Sequence, residues 1–214
     1  MIRPLPALRG FAVAAAAVSL SACISLLPKA EPAILYRFGA AATAPPAAEA
    51  RGPMFGVARL PTGFPPAAAN DQIMTISNGE VAYIADARWV SPAAVLFDEA
   101  VVRVFDAAPG PARLVSRGEA SRSDFSLKLD VRMFETQYVR GAEAAPDVVV
   151  SVRAVMTRNS DRSLMGERLF EVRTPAADNR VSAIVAAYDA AVGQALKDLV
   201  LWVNASGASP ARPT

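Results

Sequence analysis

The clearest alternation of apolar and polar residues in the chain lies at residues 124–139, DFSLKLDVRMFETQYV. Successive side chains of a β-strand point to opposite faces of its sheet, so a period of two places all apolar residues on one face. This segment is therefore predicted to be a strand with one face in the core and the other in water. The predicted core positions are Phe125, Leu127, Leu129, Val131 and Met133, which alternate with Ser126, Lys128, Asp130 and Arg132.

Other segments have the composition of strands bounded by turn residues. Asn78-Gly79 is a strong signal for a tight turn between two strands, and Asn159-Ser160-Asp161 is a second turn. The first strand is predicted at Ile34-Leu35-Tyr36-Arg37-Phe38. The remaining predicted strands are residues 54–61, 72–77, 80–89, 147–158 and 164–174.

Two amphipathic helices are predicted. Ser91 has the character of an N-cap with Pro92 at the first helical position, and Pro109-Gly110 ends that helix. Its predicted apolar flank is Val95, Leu96, Val102 and Phe105. The second helix is predicted over residues 178–203, with apolar residues at helical spacing. These are Val181, Ile184, Val185, Tyr188, Val192, Leu196, Leu199 and Val203.

The order of these elements predicts the fold class. Early strands, a helix, three more strands and a final helix favour an α+β fold with a mixed, mainly antiparallel sheet and two main helices packed on one face. We expect one domain over residues 34–203. The last residues, 204–214, are predicted to be a disordered tail.

The N-terminal residues have the pattern of an export signal. Arg3 and Arg9 precede an apolar run, FAVAAAAVSL, which is followed by small residues at Ser21 and Ala22. The run is too short for a transmembrane helix, which needs about 20 residues. Residues 1–22 are therefore predicted to be a signal peptide.

Cys23, the single cysteine of the chain, directly follows that signal. Residues 20–23, Leu-Ser-Ala-Cys, resemble the lipobox of bacterial lipoproteins, in which the cysteine carries a diacylglyceryl group and the new amine is acylated. Cys23 is thus expected to be lipid-modified, with residues 23–33 as a lipidated tether. An ordinary secretory signal with a chance cysteine is the alternative.

Composition narrows the range of functions. The chain has 22 Lys+Arg and 20 Asp+Glu, and removal of the signal with its two arginines leaves the two signs equal and interspersed. No nucleic-acid partner is therefore expected. The chain has no histidine, which removes Ser-His-Asp and Cys-His activation and HExxH zinc sites. Neither GxGxxG nor GxxxxGK[ST] occurs, so no nucleotide cofactor is predicted.

Carboxylates are the remaining catalytic groups. Asp98 and Glu99 are adjacent on the first predicted helix and point to different sides of it. A non-enzyme without metal or cofactor is the favoured interpretation, and a carboxylate-based periplasmic enzyme is the less favoured one.

The mature chain resembles the ABC-type transport auxiliary lipoproteins. The resemblance lies in the lipobox at Cys23, the aromatic strand at residues 36–38, VARLP at 57–61 and the run 71–105, in which a sheet segment ends in Arg88-Trp89 before a helix. It implies a non-catalytic subunit of an intermembrane lipid transport system, with a periplasmic MCE-domain protein as partner. A passive structural or assembly lipoprotein of the outer membrane is the alternative, and a homo-oligomer is left open.

Three residues are candidates for partner contact. Trp89, beside Arg88, has the composition of an interface anchor, but a buried tryptophan at a strand end with a locally paired Arg88 is the favoured interpretation. Phe64, in the Gly-Phe-Pro-Pro loop, is either an exposed apolar contact or part of a packed turn.

The residue after the predicted acylated cysteine is Ile24. Many lipoproteins that are retained in the inner membrane have an aspartate at this position. We therefore expect this protein to lie at the periplasmic face of the outer membrane rather than in the inner membrane.

Overall fold

The order of elements along the chain follows the predicted one, with one additional strand. A computed structural model describes residues 33–39, 53–115 and 123–208. Over these ranges the elements are β1 (Ile34–Tyr36), β2 (Phe55–Arg59), β3 (Gln72–Ser77), β4 (Glu80–Trp89), α1 (Ala93–Ala107), β5 (Ala112–Val115), β6 (Phe125–Gln137), β7 (Asp147–Arg158), β8 (Leu164–Pro175) and α2 (Val181–Ala208).

Strand β6 lies at the centre of the sheet. One of its edges pairs with β7, which pairs in turn with β8, and both ladders are antiparallel. The other edge is shared, because β2 runs parallel to its beginning and β3 runs parallel to its end. The sheet continues from β2 to β5 and from β3 through β4 to β1. The predicted α+β class with a mixed sheet is confirmed.

The predicted register of β6 is correct only for its first half. Phe125, Leu127, Leu129 and Val131 are buried as expected, but the register shifts between Val131 and Met133. Such a β-bulge inserts a residue and turns the following side chains to the opposite face. Phe134 is therefore buried in the core where the strict alternation had placed Met133.

The loop between β2 and β3 runs beside the middle of β6. The Gly63 N–H donates to the Leu129 carbonyl at 2.9 Å, and the Val131 N–H donates to the Gly63 carbonyl at 2.8 Å. A Cβ on Gly63 would lie 2.2 Å from the Asp130 carboxylate oxygen, so a larger residue here would displace that side chain. The backbone hydrogen bonds of β6 are thus continued across the gap between β2 and β3.

The turn between β3 and β4 was predicted correctly. Asn78 and Gly79 have φ values of 50° and 83°. Two successive positive φ angles are typical of the type I′ hairpin, whose twist matches that of the flanking strands.

Helix α1 begins one residue later than predicted, and only Leu96 and Phe105 of the four predicted flank residues are buried. Pro92, not Ser91, is the N-cap, and its carbonyl accepts the first helical hydrogen bonds, from Val95 and Leu96. Val95 and Val102 are 46% and 41% exposed, so they do not belong to the core flank. Alanines that were not among the predicted core residues complete the buried flank. Its buried residues are Ala93, Leu96, Phe97, Ala100, Val101 and Phe105.

Helix α2 continues beyond the predicted end at residue 203. Val203 is buried, and the side-chain oxygen of Asn204 accepts a hydrogen bond from the Ala112 N–H at 3.0 Å. These contacts hold the last turn against β5, so residues 204–208 are helical and not part of a disordered tail. Residues 209–214 lie outside the described residues.

Candidate partner-binding surface

Strand β1 is the first described element after the predicted tether, and it lies at the edge of the sheet. It pairs with β4 in parallel register, with Leu35 beside Arg88 and Tyr36 beside Trp89. In the described part of the chain no strand pairs with its other edge. Ile34 and Leu35 are 61% and 60% exposed, so this edge presents large apolar side chains to solvent.

Both helices hold the segment that follows β1. Arg37 forms an ion pair with Glu99 at 2.8 Å, and the Arg103 Nε–H donates to the Gly39 carbonyl at 2.9 Å. The Gly39 N–H donates to the Asp189 carboxylate at 2.6 Å. Because these contacts join residues 37–39 to α1 and α2, β1 is presented by a fixed part of the fold.

Trp89 is a core residue and not an exposed anchor. It is 2% exposed, and its ring meets those of Phe38 and Tyr188 edge to face at 4.9 Å and 5.2 Å. Arg88 alternates to the opposite face of β4, where it pairs with Asp71 at 3.5 Å. The structure therefore matches the favoured interpretation of a buried tryptophan with a locally paired arginine.

Phe64 is part of a packed turn. Its ring lies 5.9 Å from Phe97 and 5.3 Å from Phe134, centroid to centroid, and it is only partly accessible. Of the three candidates for partner contact, Arg88 alone keeps a largely accessible polar group, with 43% of its side chain exposed.

The structure brings Arg88 together with exposed residues that the sequence analysis did not single out. The Val90 N–H donates to the Tyr36 carbonyl at 2.8 Å, which extends the pairing of β1 with β4. We use the name edge surface for Ile34, Leu35, Arg88 and Val90. The sequence contains an indication of this surface. Ile34-Leu35-Tyr36 lacks the alternation of apolar and polar residues that is typical of a strand with one solvent-exposed face.

Beneath the edge surface lies a cluster of buried rings. Tyr188 accepts a hydrogen bond from the Thr136 hydroxyl at 3.2 Å, and burial raises the pKa of its phenol well above the ordinary value. The Tyr188 side chain is therefore a neutral phenol in the folded protein.

The adjacent acids on α1 have structural partners. Asp98 contacts Arg59 and accepts a hydrogen bond from Thr62 at 2.7 Å, whereas Glu99 pairs with Arg37 on the other side of the helix. Within residues 33–39, 53–115 and 123–208, no three His, Cys, Asp or Glu side chains come close enough to hold a metal ion.

The structure does not describe the predicted lipid attachment site. Cys23 lies before residue 33, outside the described ranges. Neither α1 nor α2, the helices in those ranges, is long and apolar enough to cross a membrane.

The fold, a mixed sheet with two helices packed on one core, is shared with solved proteins. One is protein XCC0632 from Xanthomonas campestris, with a TM-score of 0.67 and 23% identity over 82% of this chain and 97% of that one. Another is the hypothetical protein CT253 from Chlamydia trachomatis, with a TM-score of 0.52 and 10% identity over 73% of this chain and 99% of that one. These likenesses concern the fold.

Family membership follows from the sequence over residues 36–200, which match the model of the ABC-type transport auxiliary lipoprotein component. That range begins at the last residue of β1, ends within α2 and covers most of the chain. The chain belongs to this family, and the resemblance drawn from its residues is confirmed. None of the curated proteins compared matches the chain.

Proposed function

We propose that this protein is a lipid-anchored, non-catalytic auxiliary subunit that docks the periplasmic MCE-domain component of an intermembrane lipid transport system. The family match over residues 36–200 carries the proposal. Cys23 provides the acyl anchor, and the protein resides at the periplasmic face of the outer membrane.

The edge surface is the proposed docking site. A strand at a sheet edge offers unpaired backbone N–H and C=O groups, and an added strand of a partner can pair with them. Leu35 lies on this edge with Arg88 beside it on β4, and they supply an apolar contact and, with Asp71, an ion pair that select the partner. A mixed polar and apolar interface is typical of non-obligate complexes.

The tether keeps the docking site close to the membrane. About ten residues separate Cys23 from β1, and a fully extended chain spans at most roughly 33 Å over that length. A partner bound to β1 is then held within a few nanometres of the outer membrane. An MCE-domain protein fixed at its other end to the inner-membrane transporter would complete a path between the two membranes.

Affinity purification of the tagged protein tests the proposal. The wild type, solubilised in mild detergent, should co-purify with an MCE-domain protein, and Leu35→Asp should reduce that recovery at least tenfold because it places a charge in an apolar contact. Leu169→Asp is the matched control, since Leu169 is an exposed leucine on the opposite edge strand, β8.

Equal recovery with the two variants would refute the edge surface as the docking site. Recovery of no MCE-domain protein with the wild type would refute the transport role and favour the passive structural lipoprotein. Light scattering on the purified chain will measure whether it also self-associates.

A further inference from the structure

An apolar groove of about 370 Å³ runs between α1 and α2, on a part of the molecule separate from the edge surface. Both helices contribute small or aliphatic side chains to it. Those that shape it are Ala100, Val104, Val192, Gly193, Leu196 and Val200. Volumes above about 300 Å³ are typical of small-molecule sites.

Gly193 leaves space in this groove that the fold itself does not use. A Cβ built on Gly193 would meet no atom within 4 Å, and its φ is not in the positive range that requires glycine. Glycine inside a helix is nevertheless less favourable than alanine. Neither backbone conformation nor close packing requires a glycine at position 193, and the space beside it is open to a ligand.

The dimensions of the groove match one hydrocarbon chain. Its lining on α2 runs from Asp189 to Leu201, about 18 Å at the rise of an α-helix. The chains of one leaflet span about half of the roughly 30 Å hydrocarbon core of a bilayer. The length of the groove is therefore close to that of one lipid acyl chain.

Two charged side chains line the groove at different positions along α2. Asp189 lies two turns before Lys197, about 12 Å away along the helix axis, and its carboxylate accepts a hydrogen bond from the Gly39 N–H at 2.6 Å. Lys197 lines the groove, is exposed and has no ion-pair partner in the described part of the chain. An uncommitted cation beside an apolar groove is complementary to an amphiphile with a negative headgroup.

We propose that the groove between α1 and α2 holds one acyl chain of an anionic membrane lipid, with the headgroup beside Lys197. This inference rests on the proposed function, since a lipid transport system supplies such a ligand. It assigns this subunit direct contact with the cargo.

Photo-crosslinking tests the inference on the full lipoprotein. The purified protein is placed in vesicles of phosphatidylethanolamine and phosphatidylglycerol that contain a trace of phosphatidylglycerol with a diazirine in one acyl chain. After irradiation, mass spectrometry counts lipid adducts on peptides of α1 and α2. The same diazirine chain on phosphatidylcholine tests the role of charge.

Gly193→Trp fills the groove and should reduce helix adducts at least tenfold. Gln194→Trp is the control, because Gln194 is the adjacent exposed residue but does not line the groove. The wild type should label about two- to fivefold more with the phosphatidylglycerol probe than with the phosphatidylcholine probe. Lys197→Glu leaves the groove open and should abolish this preference. Thermal unfolding of each variant establishes that it is folded.

Equal labelling of Gly193→Trp and Gln194→Trp would overturn the inference, as would adducts on β8 as abundant as those on the helices. The assay contains no MCE-domain protein. A failure of lipid labelling would therefore count against the groove, whereas a failure to recover the MCE-domain protein would count against the proposed docking function.

Discussion

The ring of Phe38 meets the ring of Trp89 edge to face, with 4.9 Å between centroids and 84° between planes. This contact joins the segment after β1 to the neighbouring strand β4. Tyr188 on α2 touches both rings, at 6.5 Å and 5.2 Å. The edge surface is therefore supported from below by aromatic packing as well as by the ion pair of Arg37 and the hydrogen bonds of Gly39.

Removal of the Phe38 ring should weaken the whole domain. Phe38 is fully buried, and Phe38→Ala should lower the free energy of unfolding by about 3–5 kcal/mol through lost burial and the resulting cavity. Leu35→Ala, three residues earlier but exposed, should change it by about 0.5 kcal/mol or less. Urea unfolding of both variants measures the difference, and similar losses would contradict this packing.

The two faces of β6 should respond differently to truncation. Leu129 is fully buried, and Leu129→Ala should cost about 2–5 kcal/mol. Lys128→Ala removes only a partly exposed side chain that donates to the Pro61 carbonyl at 2.7 Å and should cost about 1 kcal/mol or less. Equal effects in urea unfolding would show that the face assignment is wrong.

Tyr188 should make the domain sensitive to alkaline pH. Its pKa is raised by burial above the ordinary 10.0, so near and above pH 10 the unfolded chain loses this proton while the folded chain keeps it. The associated stability is complete below pH 10 and falls as pH rises further, by up to about 1.4 kcal/mol per unit.

Tyr188→Phe keeps the ring and removes this titration. Its unfolding free energy, measured from pH 8 to pH 11, should decline less steeply than that of the wild type. Burial also raises the pKa of Tyr138, but that group is present in both proteins, and the difference isolates Tyr188. Parallel slopes would contradict the buried neutral phenol.

Cys23 should carry the membrane anchor. Cys23→Ala removes the thiol that would accept the diacylglyceryl group and should abolish labelling by radioactive palmitate, leaving precursor or unanchored protein. Two or more acyl chains bind a bilayer stably, so the labelled wild type should remain with the membranes. A membrane-bound wild type without an acyl adduct would refute lipidation.

The residue after Cys23 should set the destination. Ile24→Asp should shift the protein to the inner membrane in a host that uses the aspartate retention signal, whereas Ile24→Asn keeps the size without the charge and should remain in the outer membrane. Sucrose-gradient fractionation distinguishes the two. Inner-membrane residence of the wild type would contradict the sorting prediction.

The pattern of residues by itself determined the elements that depend on local spacing. The alternation in β6, the Asn78-Gly79 turn and the helical spacing around Tyr188 each identify one element and its type. They do so because side-chain direction within one strand or helix follows directly from backbone geometry. Absence of histidine likewise removed several catalytic classes without reference to the fold.

Tertiary structure decided everything that depends on partners distant in sequence. β5 has only four residues, and it is a strand because Ala112 to Val115 pair in parallel with β2. The bulge after Val131 depends on the register in which β6 pairs with β7, so it cannot be derived from the sequence of β6 alone. Trp89 is buried and Leu35 is exposed, because burial depends on which rings assemble around a side chain and on which strand is left at the edge.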